Sequence, residues 1–420
     1  MQIEEFAVER WMDRYETTCR YNLAETCVES MTVRELLELA GKQATILDEL
    51  LPMKLTYGAI EGSDRLRGLV ASMYASQRGA NVVITHGAIG GNALVYQTLI
   101  EPGDEVVTLV PIYQQHYSIP ESLGATVKLL HLRETNRFLP DLDELASLVT
   151  SRTKVIALSN PNNPTGALMD RPMQEAIARI ADAVGAYVLA DEVYRGTDQE
   201  GSGTTESMAD LYRLGISSGS MSKAFSLAGL RLGWVTGPAE LMRRVGRHRD
   251  YNTISVGMLN DHFASIALDN RDKILARSRA IVRSNLQVLD QWLATEPSMS
   301  YVKPRSGTTA AVKYAEPVSS EAFCVRLVET KGVMFTPGST LGMEGYVRIN
   351  NVCSASPVAI STFLACEPVP ILILPVPESI VTALLFVALP MVMAVASLPI
   401  ETVPSGPATV RLVIELPARI

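Results

Sequence analysis

The chain has 420 residues, of which 47% are hydrophobic and 20% charged, and its net charge is −8. This length exceeds one small hydrophobic core and predicts two domains. The negative net charge argues against nucleic-acid binding and against a polybasic membrane surface. Five scattered cysteines without zinc-ligand spacing predict reduced thiols and no metal site. The acidic N-terminus lacks the features of a signal peptide, so we expect a cytoplasmic protein.

Residues 1–48 are polar and have apolar residues at helical spacing, which predicts an N-terminal arm that also forms part of the smaller domain. Within the arm, the segment from Thr32 to Leu47 is predicted to be a helix. Glu25 and Glu29 could meet a guanidinium group of a ligand, although a solvated arm explains these two carboxylates as well.

From residue 82 to 240, β-branched strand-like runs alternate with helical segments. This alternation predicts an α/β fold whose sheet is mainly parallel. We assign residues 49–285 to a large ligand-binding domain and 286–352 to a small C-terminal α+β domain. A long helix over 272–295 is expected to connect them.

The segment from Ser220 to Trp234 places Lys223 among small hydroxyl residues, with Arg231 eight positions later beside two glycines. Hydroxyl groups and an arginine are suited to bind a phosphate monoester. A lysine beside them can form a Schiff base with an aldehyde on the same molecule, and that molecule would be pyridoxal 5′-phosphate (PLP). The alternative is a solvated lysine in a serine-rich loop.

Other polar side chains follow predicted strands, at the edge where open α/β sheets bind ligands. Asp191 ends an apolar strand, and a protonated pyridine nitrogen would be a suitable partner for its carboxylate. The ring of Tyr113, at the end of another strand, could stack on a cofactor ring. Asn163 lies in a segment whose two Asn-Pro pairs exclude helix and strand. Each of these residues taken alone could instead have a purely structural role.

Two further positions are candidates for ligand contacts. Tyr57, in a Tyr-Gly turn, could reach a phosphate, including one bound to a neighbouring subunit. Arg348 lies on a predicted strand, where its planar guanidinium could clamp a substrate carboxylate. The alternatives are a plain loop for Tyr57 and a solvent-facing side chain for Arg348.

Together, these motifs resemble the fold-type-I PLP-dependent enzymes of the class I/II aminotransferase family, from about residue 30 to 352. The resemblance implies a large domain with a mainly parallel sheet sandwiched by helices, as in aspartate aminotransferase, plus a smaller α+β domain. The shared motifs are Tyr57-Gly58 with Gly62, Asn160-Pro-Asn-Asn-Pro-Thr-Gly166, Asp191-Glu-Val-Tyr194, Ser220-Met-Ser-Lys223 with Gly229 and Arg231, and Arg348. Further stretches resemble the capreomycidine-synthase-like subgroup, namely Glu9-Arg-Trp11, Thr85-His-Gly87, Pro111-Ile-Tyr113, Pro164-Thr-Gly-Ala167 and Arg249-Asp-Tyr-Asn-Thr-Ile-Ser255.

The resemblance also implies residue roles, of which the catalytic ones fall to Lys223, Asp191 and Tyr194. Lys223 forms the Schiff base and moves the proton, and Asp191 pairs with the pyridine nitrogen. Tyr194 and Asn163 bond the ring hydroxyl, while Tyr113 stacks on the ring. The cofactor phosphate is bound by Ala88 and Ile89 (through the backbone), Ser220, Ser222, Arg231 and, from the partner subunit, Tyr57. The substrate carboxylate is bound by Arg348 with Asn163.

The function implied by the resemblance is transfer of an amino group between an amino acid and a 2-oxo acid by a homodimer. One alternative is a PLP-dependent cyclase or lyase that acts on the side chain of an arginine-like amino acid, as in the capreomycidine-synthase-like subgroup. The same residues serve both reactions, because the Asp191–pyridinium pair stabilises a carbanion in either case. A second alternative is a PLP-binding relative made inactive by an aberrant C-terminus.

Residues 353–420 form an atypical apolar tail, which has no lysine where a charged amphipathic helix is expected. The stretch from Ile380 to Pro399 has no charge and is long enough to span a membrane. A membrane anchor is nevertheless not predicted, because Pro390 interrupts the stretch and no basic flank marks an orientation. The tail could be an extra segment on the small domain, or out-of-frame or intron-derived sequence in place of the native helix.

Overall fold

The structure, a computed structural model, describes residues 2–350. The helices in chain order are α1 Ala7–Tyr15, α2 Val33–Ala40, α3 Ile46–Leu50, α4 Asp64–Ala71, α5 Gly87–Leu99, α6 Gln115–Ser122, α7 Leu142–Leu148, α8 Arg171–Asp182, α9 Met208–Leu211, α10 Ala239–Asp250, α11 Met258–Asp269, α12 Arg271–Leu293 and α13 Ser320–Lys331. The strands are β1 Tyr21–Asn22, β2 Val82–Thr85, β3 Glu105–Val110, β4 Thr126–His131, β5 Thr153–Ser159, β6 Tyr187–Asp191, β7 Gly215–Ser220, β8 Gly233–Thr236, β9 Met299–Tyr301, β10 Thr309–Tyr314, β11 Val333–Met334, β12 Thr336–Pro337 and β13 Tyr346–Asn350.

The larger sheet has seven strands in the order β2-β8-β7-β6-β5-β3-β4. Strand β8 runs antiparallel to both of its neighbours, and the remaining pairings are parallel. Parallel neighbours require crossover connections, which helices such as α5 and α8 provide. The prediction of a mainly parallel α/β sheet is confirmed.

Both faces of this sheet are covered by helices. Successive strand residues point to opposite faces, so Val83 packs in a cluster with Leu94 of α5, whereas Ile84 packs in another with Leu66 of α4. Burial on both faces explains why these strands are continuous apolar runs instead of alternating ones. It also leaves the carboxyl ends of the parallel strands as the edge where polar groups can collect.

A separate antiparallel sheet has the order β12-β13-β10-β9. Strand β1 pairs in parallel with β11, through Tyr21 with Val333 and Asn22 with Met334. The N-terminal segment is therefore tied to the C-terminal part of the described chain, and the indole Nε1 of Trp11 adds a 2.8 Å hydrogen bond to the carbonyl of Phe335. The prediction of a smaller α+β part with its own sheet is confirmed.

The predicted helix from Thr32 to Leu47 is wrong in length. A capping box between Thr32 and Glu35 starts α2, but the helix ends at Ala40 because Gly41 adopts a left-handed conformation with φ of 67°. A separate short helix, α3, follows at Ile46. Glycine at the C-terminus was the signal for this break, and the apolar period across it was misleading. By contrast, the helix predicted over 272–295 matches α12.

Gly166 offers a test of how the Asn160–Gly166 segment packs. It has φ of +67°, and an added Cβ would lie 2.4 Å from Pro304 Cβ and 2.8 Å from the Ser306 carbonyl oxygen. We expect Gly166→Ala to lower the free energy of unfolding by about 2–4 kcal/mol, because left-handed strain and overlap both oppose the methyl group. Urea unfolding monitored by circular dichroism measures this loss.

Gly185→Ala is the matched control for this substitution. Gly185 also has a positive φ of +71°, but nothing lies within 4 Å of an added Cβ. Only the backbone strain applies, at about 1 kcal/mol. Equal losses in the two variants would contradict the packing described for Gly166.

Candidate active site

A cavity of about 420 Å³ lies at the carboxyl ends of the parallel strands. Parallel strands that end at one edge bring together residues distant in sequence, such as Ser159 at the end of β5, Asp191 at the end of β6 and Ser220 at the end of β7. Of the residues predicted for the site, those that line the cavity are Ala88, Ile89, Tyr113, Asn163, Asp191, Tyr194, Ser220, Ser222, Lys223, Arg231 and Arg348. The structure thus brings together nearly the whole predicted set.

Lys223 projects into this cavity from the loop after β7. Its Nζ donates a 2.6 Å hydrogen bond to Thr26 Oγ1 and lies 3.5 Å from Cys27 Sγ. Burial lowers the pKa of Lys223, but the facing Cys27, Tyr194 and Glu25 raise it, and the net direction is upward. The amine therefore stays protonated in this arrangement unless a bond or a neighbouring charge changes its state.

One end of the cavity has the donors that a phosphate monoester needs. Ser220 and Ser222 are buried beside Arg231, which is exposed. The N-terminus of α5 faces them, and an added Cβ at Gly87 would lie 3.3 Å from Arg231 Nη2. A helix N-terminus with free backbone N–H groups attracts anions, and only glycine leaves this approach open.

The carboxylate of Asp191 lies deeper in the cavity wall and is buried. His116 Nε2 lies 3.3 Å from Asp191 Oδ2, and Asn92 Nδ2 donates to the same oxygen at 3.3 Å. The hydroxyl of Tyr96 in turn lies 2.9 Å from His116 Nδ1. A buried carboxylate needs such partners, and this chain of contacts fixes the direction in which Asp191 points.

Arg348, on β13 of the smaller sheet, is 4% exposed, so the solvent-facing alternative for it is wrong. Its Nη2 donates to the Ala24 carbonyl at 2.9 Å, and its Nη1 donates to Asn163 Oδ1 at 3.3 Å. Its Nε has no hydrogen-bond partner in the described structure. Burial lowers the pKa of Arg348, while Tyr194, Glu25 and other nearby groups raise it. An unpaired buried N–H of this kind is suited to a carboxylate ligand.

Sequence reasoning missed that the N-terminal segment forms a wall of the cavity. Thr26 and Cys27 line it, together with three carboxylates, those of Glu9, Glu16 and Glu25. Of the two carboxylates that the sequence offers for a guanidinium group, Glu25 lines the cavity, whereas Glu29 is exposed and does not line it. The contacts join positions about 200 residues apart or more, so no local pattern indicated them. His116 and Asn92 were also missed, because they are distant in the sequence from Asp191, which they contact.

Tyr57 is the predicted site residue that does not line this cavity. Its side chain is 76% exposed. Because its role was expected across a subunit interface, that role stays a prediction.

Within residues 2–350, no cluster of His, Cys, Asp and Glu is suited to hold a metal ion, and no helix is long and apolar enough to cross a membrane. The apolar tail lies outside the described residues.

The residues present fit the phosphate, the ring nitrogen and the aldehyde of PLP. Ser220, Ser222 and Arg231 would hold the phosphate, and buried Asp191 would face the pyridine nitrogen. Lys223 would supply the amine that bonds the aldehyde. One cavity of this helix-covered parallel sheet thus contains a lysine, a buried acid and an anion cradle, which is formed by Ser220, Ser222, Arg231 and the N-terminus of α5. This combination defines a PLP-dependent enzyme of fold type I.

Comparison with known proteins gives the family. The family model for aminotransferases of class I and II matches residues 40–364, so the chain belongs to this family. The match continues past residue 352, where the resemblance was expected to end. A solved PLP-dependent aminotransferase from Streptococcus suis is 39% identical, with a TM-score of 0.83 over 87% of this chain and 97% of that one.

Two curated relatives differ in their chemistry. Capreomycidine synthase from Streptomyces vinaceus is 30% identical over 82% of this chain and 89% of its own length. An arginine–pyruvate transaminase from Pseudomonas aeruginosa is 28% identical over 74% of this chain and 82% of its own. The protein is accordingly a PLP-dependent transferase that acts on amino acids and 2-oxo acids.

Proposed function

We propose that this enzyme transfers the amino group of an amino acid with a cationic side chain to a 2-oxo acid, and that Lys223 bonds the cofactor and moves the proton. The observation that carries the proposal is the composition of the cavity. It holds the Lys223 amine, the Arg348 guanidinium and three carboxylates on the N-terminal wall.

Bound PLP supplies an aldehyde that condenses with amines and a pyridinium ring that withdraws electrons from the α-carbon. Asp191 would keep the ring nitrogen protonated, because a buried carboxylate favours a positive charge beside it. His116 and Asn92 would hold that carboxylate in place. Ser220, Ser222 and Arg231 would bind the phosphate, and Tyr113 would cover the ring.

Arg348 would orient the substrate, since its Nε has no hydrogen-bond partner in the described structure and would donate to the α-carboxylate. Lys223 lines the same cavity as Arg348, so an α-carboxylate bound at Arg348 would lie in the space that the Lys223 amine enters. Lys223 Nζ would move the α-proton, first as a general base and then as a general acid. Tyr194 and Asn163 would hydrogen-bond the ring hydroxyl, and the burial of Tyr194 keeps water away from this group.

The three carboxylates set the charge preference of the remaining space. Burial raises the pKa of Glu16, repulsion from Glu25 and Glu9 raises it further, and the Lys223 charge opposes the rise only in part, so the three carboxylates share one negative field. In residues 2–350, no Lys or Arg forms an ion pair with them; Arg10, next to Glu9, pairs with Asp13 instead. A cationic side chain would relieve this repulsion, whereas the carboxylate of an acidic substrate would increase it. The similarity to an arginine–pyruvate transaminase supports the same preference.

The first experiment compares the visible absorption of the protein with PLP to that of Lys223→Ala. We expect a long-wavelength band in the wild type that is absent or displaced in the variant, because only Lys223 offers an amine to the aldehyde in this cavity. Arginine, ornithine or lysine should then bleach the band, and a 2-oxo acid should restore it. A folded protein that shows no band with PLP would overturn the proposal.

Side-chain cyclisation or elimination is the second candidate, favoured by the similarity to capreomycidine synthase. The same spectroscopic experiment separates the two. Transamination leaves the amino group on the cofactor until a 2-oxo acid removes it, whereas side-chain chemistry returns the cofactor without any 2-oxo acid. Product formation from an arginine-like amino acid in the absence of a 2-oxo acid acceptor would favour the second candidate.

Glu16→Gln tests the charge preference with little structural disturbance. Glu25 accepts hydrogen bonds from the backbone N–H groups of Thr26 and Cys27 at 2.6 and 2.8 Å, and Glu9 accepts one from the Tyr113 hydroxyl. Among the residues that the structure describes, the Glu16 side chain accepts no such hydrogen bond. We expect kcat/KM for arginine to fall about fivefold, since Glu16 is partly screened by solvent. Norleucine, which has no side-chain charge, is the control substrate and should change by less than about twofold. Equal losses for both substrates would contradict the preference.

We also propose that the enzyme is a homodimer in which Tyr57 reaches the cofactor phosphate of the partner subunit. Exposed apolar side chains collect on two adjacent segments, and contiguous exposure of this kind marks interaction surfaces. Gly58 on the first segment approaches Met258 next to the second. The exposed residues are Leu47, Leu51, Leu55, Tyr57 and Ile60 on the first segment, and Tyr251, Ile254 and Leu259 on the second.

Subunit complementation tests this arrangement. We expect Lys223→Ala dimers to be inactive and Tyr57→Ala dimers to bind PLP weakly. A mixed dimer has one site with native Lys223 from one subunit and native Tyr57 from the other, so an equal mixture should recover about a quarter of the wild-type sites at limiting PLP. No recovery after verified subunit exchange would show that Tyr57 does not act across the interface.

The expected cytoplasmic location remains a prediction. Cys19, Cys27 and Cys324 are free thiols in the structure, which supports a reducing compartment.

A further inference from the structure

Residues 24–28 run across the cavity, and their contacts fix them to the site on several sides. The Ala24 carbonyl accepts from Arg348 at 2.9 Å, and the Thr26 carbonyl accepts from Thr308 Oγ1 at 2.8 Å. The backbone N–H of Val28 donates to the Lys223 carbonyl at 3.4 Å. The backbone of Thr26 is therefore held from the smaller sheet and from the lysine loop at once.

The side chain of Thr26 is as constrained as its backbone. It is 7% exposed, and a β-branched residue has few accessible χ1 rotamers. Its hydroxyl accepts the 2.6 Å hydrogen bond from Lys223 Nζ. Tyr194 lines the same cavity, where burial raises the pKa of its hydroxyl and the nearby charge of Lys223 opposes the rise. The Thr26 hydroxyl has two lone pairs, so it can accept from the Lys223 ammonium.

We propose that Thr26 is a positioning residue for Lys223, holding its amine beside Tyr194 whenever that amine is not covalently engaged. The inference rests on the proposed function, in which Lys223 must be released from the cofactor before it can carry a proton. A released lysine has several rotatable bonds, and proton transfer is fast only from a defined position. Thr26 provides that position and takes no proton itself, because its hydroxyl does not ionise near neutral pH.

Thr26→Val and Thr26→Ser form a matched pair for the test. Valine keeps the branched shape and removes the oxygen, whereas serine keeps the oxygen. In the PLP-loaded enzyme we expect kcat to fall about tenfold in Thr26→Val with KM changed by less than about threefold, and Thr26→Ser to retain kcat within about threefold. Loss of activity in both variants to the same extent would assign Thr26 a packing role and overturn the proposal.

A second measurement uses the cofactor-free protein and does not depend on activity. The pH dependence of reductive methylation at Lys223, followed by mass spectrometry, reports the pKa of its amine. The hydroxyl oxygen stabilises the charged ammonium, so removal of this acceptor in Thr26→Val should lower the pKa of Lys223, and Thr26→Ser should leave it near the wild-type value. An unchanged pKa in Thr26→Val would also overturn the proposal.

The two measurements separate this inference from the proposed function. A wild-type protein without transaminase activity would sink the proposed function, yet the methylation titration would still show whether Thr26 holds the amine. If Thr26→Val does not fold, as judged by circular dichroism, Thr26→Ala takes its place in both measurements. A normal titration in Thr26→Ala would then be the contradicting result.

Discussion

The arrangement of the cavity depends on the hydrogen bonds that the guanidinium of Arg348 donates. It extends from the smaller sheet, donates to Asn163 in the loop after β5 of the larger sheet, and donates to Ala24 in the N-terminal segment. Because the side chain is buried, loss of either hydrogen-bond partner would leave a buried N–H group unsatisfied, at a cost of about 1–3 kcal/mol. One residue thus joins the three parts of the chain that form the site, and it does so with a group that still has an N–H free for a ligand.

Asp191 is a buried carboxylate that the larger sheet places in the wall of the cavity. The carboxylate belongs to the last residue of β6, where apolar neighbours would disfavour its charge without compensation. The nearby His116 and Asn92 supply that compensation from α6 and α5, which cover the sheet. The acid therefore does not depend on water for its orientation, and its environment is set by helices whose packing is part of the core.

Sequence reasoning predicted the parts of the site that local patterns encode. Lys223, Asp191 and Asn163 follow strands in recognisable motifs, and strands of one parallel sheet must end at one edge, so their meeting in space could be expected. Thr26 and Glu16 lie in no such motif. They reach the cavity through pairings such as β1 with β11, which depend on tertiary packing over more than 300 positions. His116 also lies outside any motif, and it reaches Asp191 from α6. The misjudged end of α2 has a different cause, since the apolar spacing continued past the glycine that stops the helix.

The pairing of β1 with β11 has a consequence for the order in which the molecule is assembled. Arg348 and Ala24, which bond across the cavity, are separated by 324 positions. During synthesis the larger sheet can be completed while residues 333–350 are still in the ribosome, but the pairing of β1 with β11 and the hydrogen bond from Arg348 to Ala24 cannot form until these residues emerge. The N-terminal wall thus gains its contacts with the smaller sheet late in translation. A nascent chain that has already formed the anion cradle still lacks the Arg348 side of the cavity.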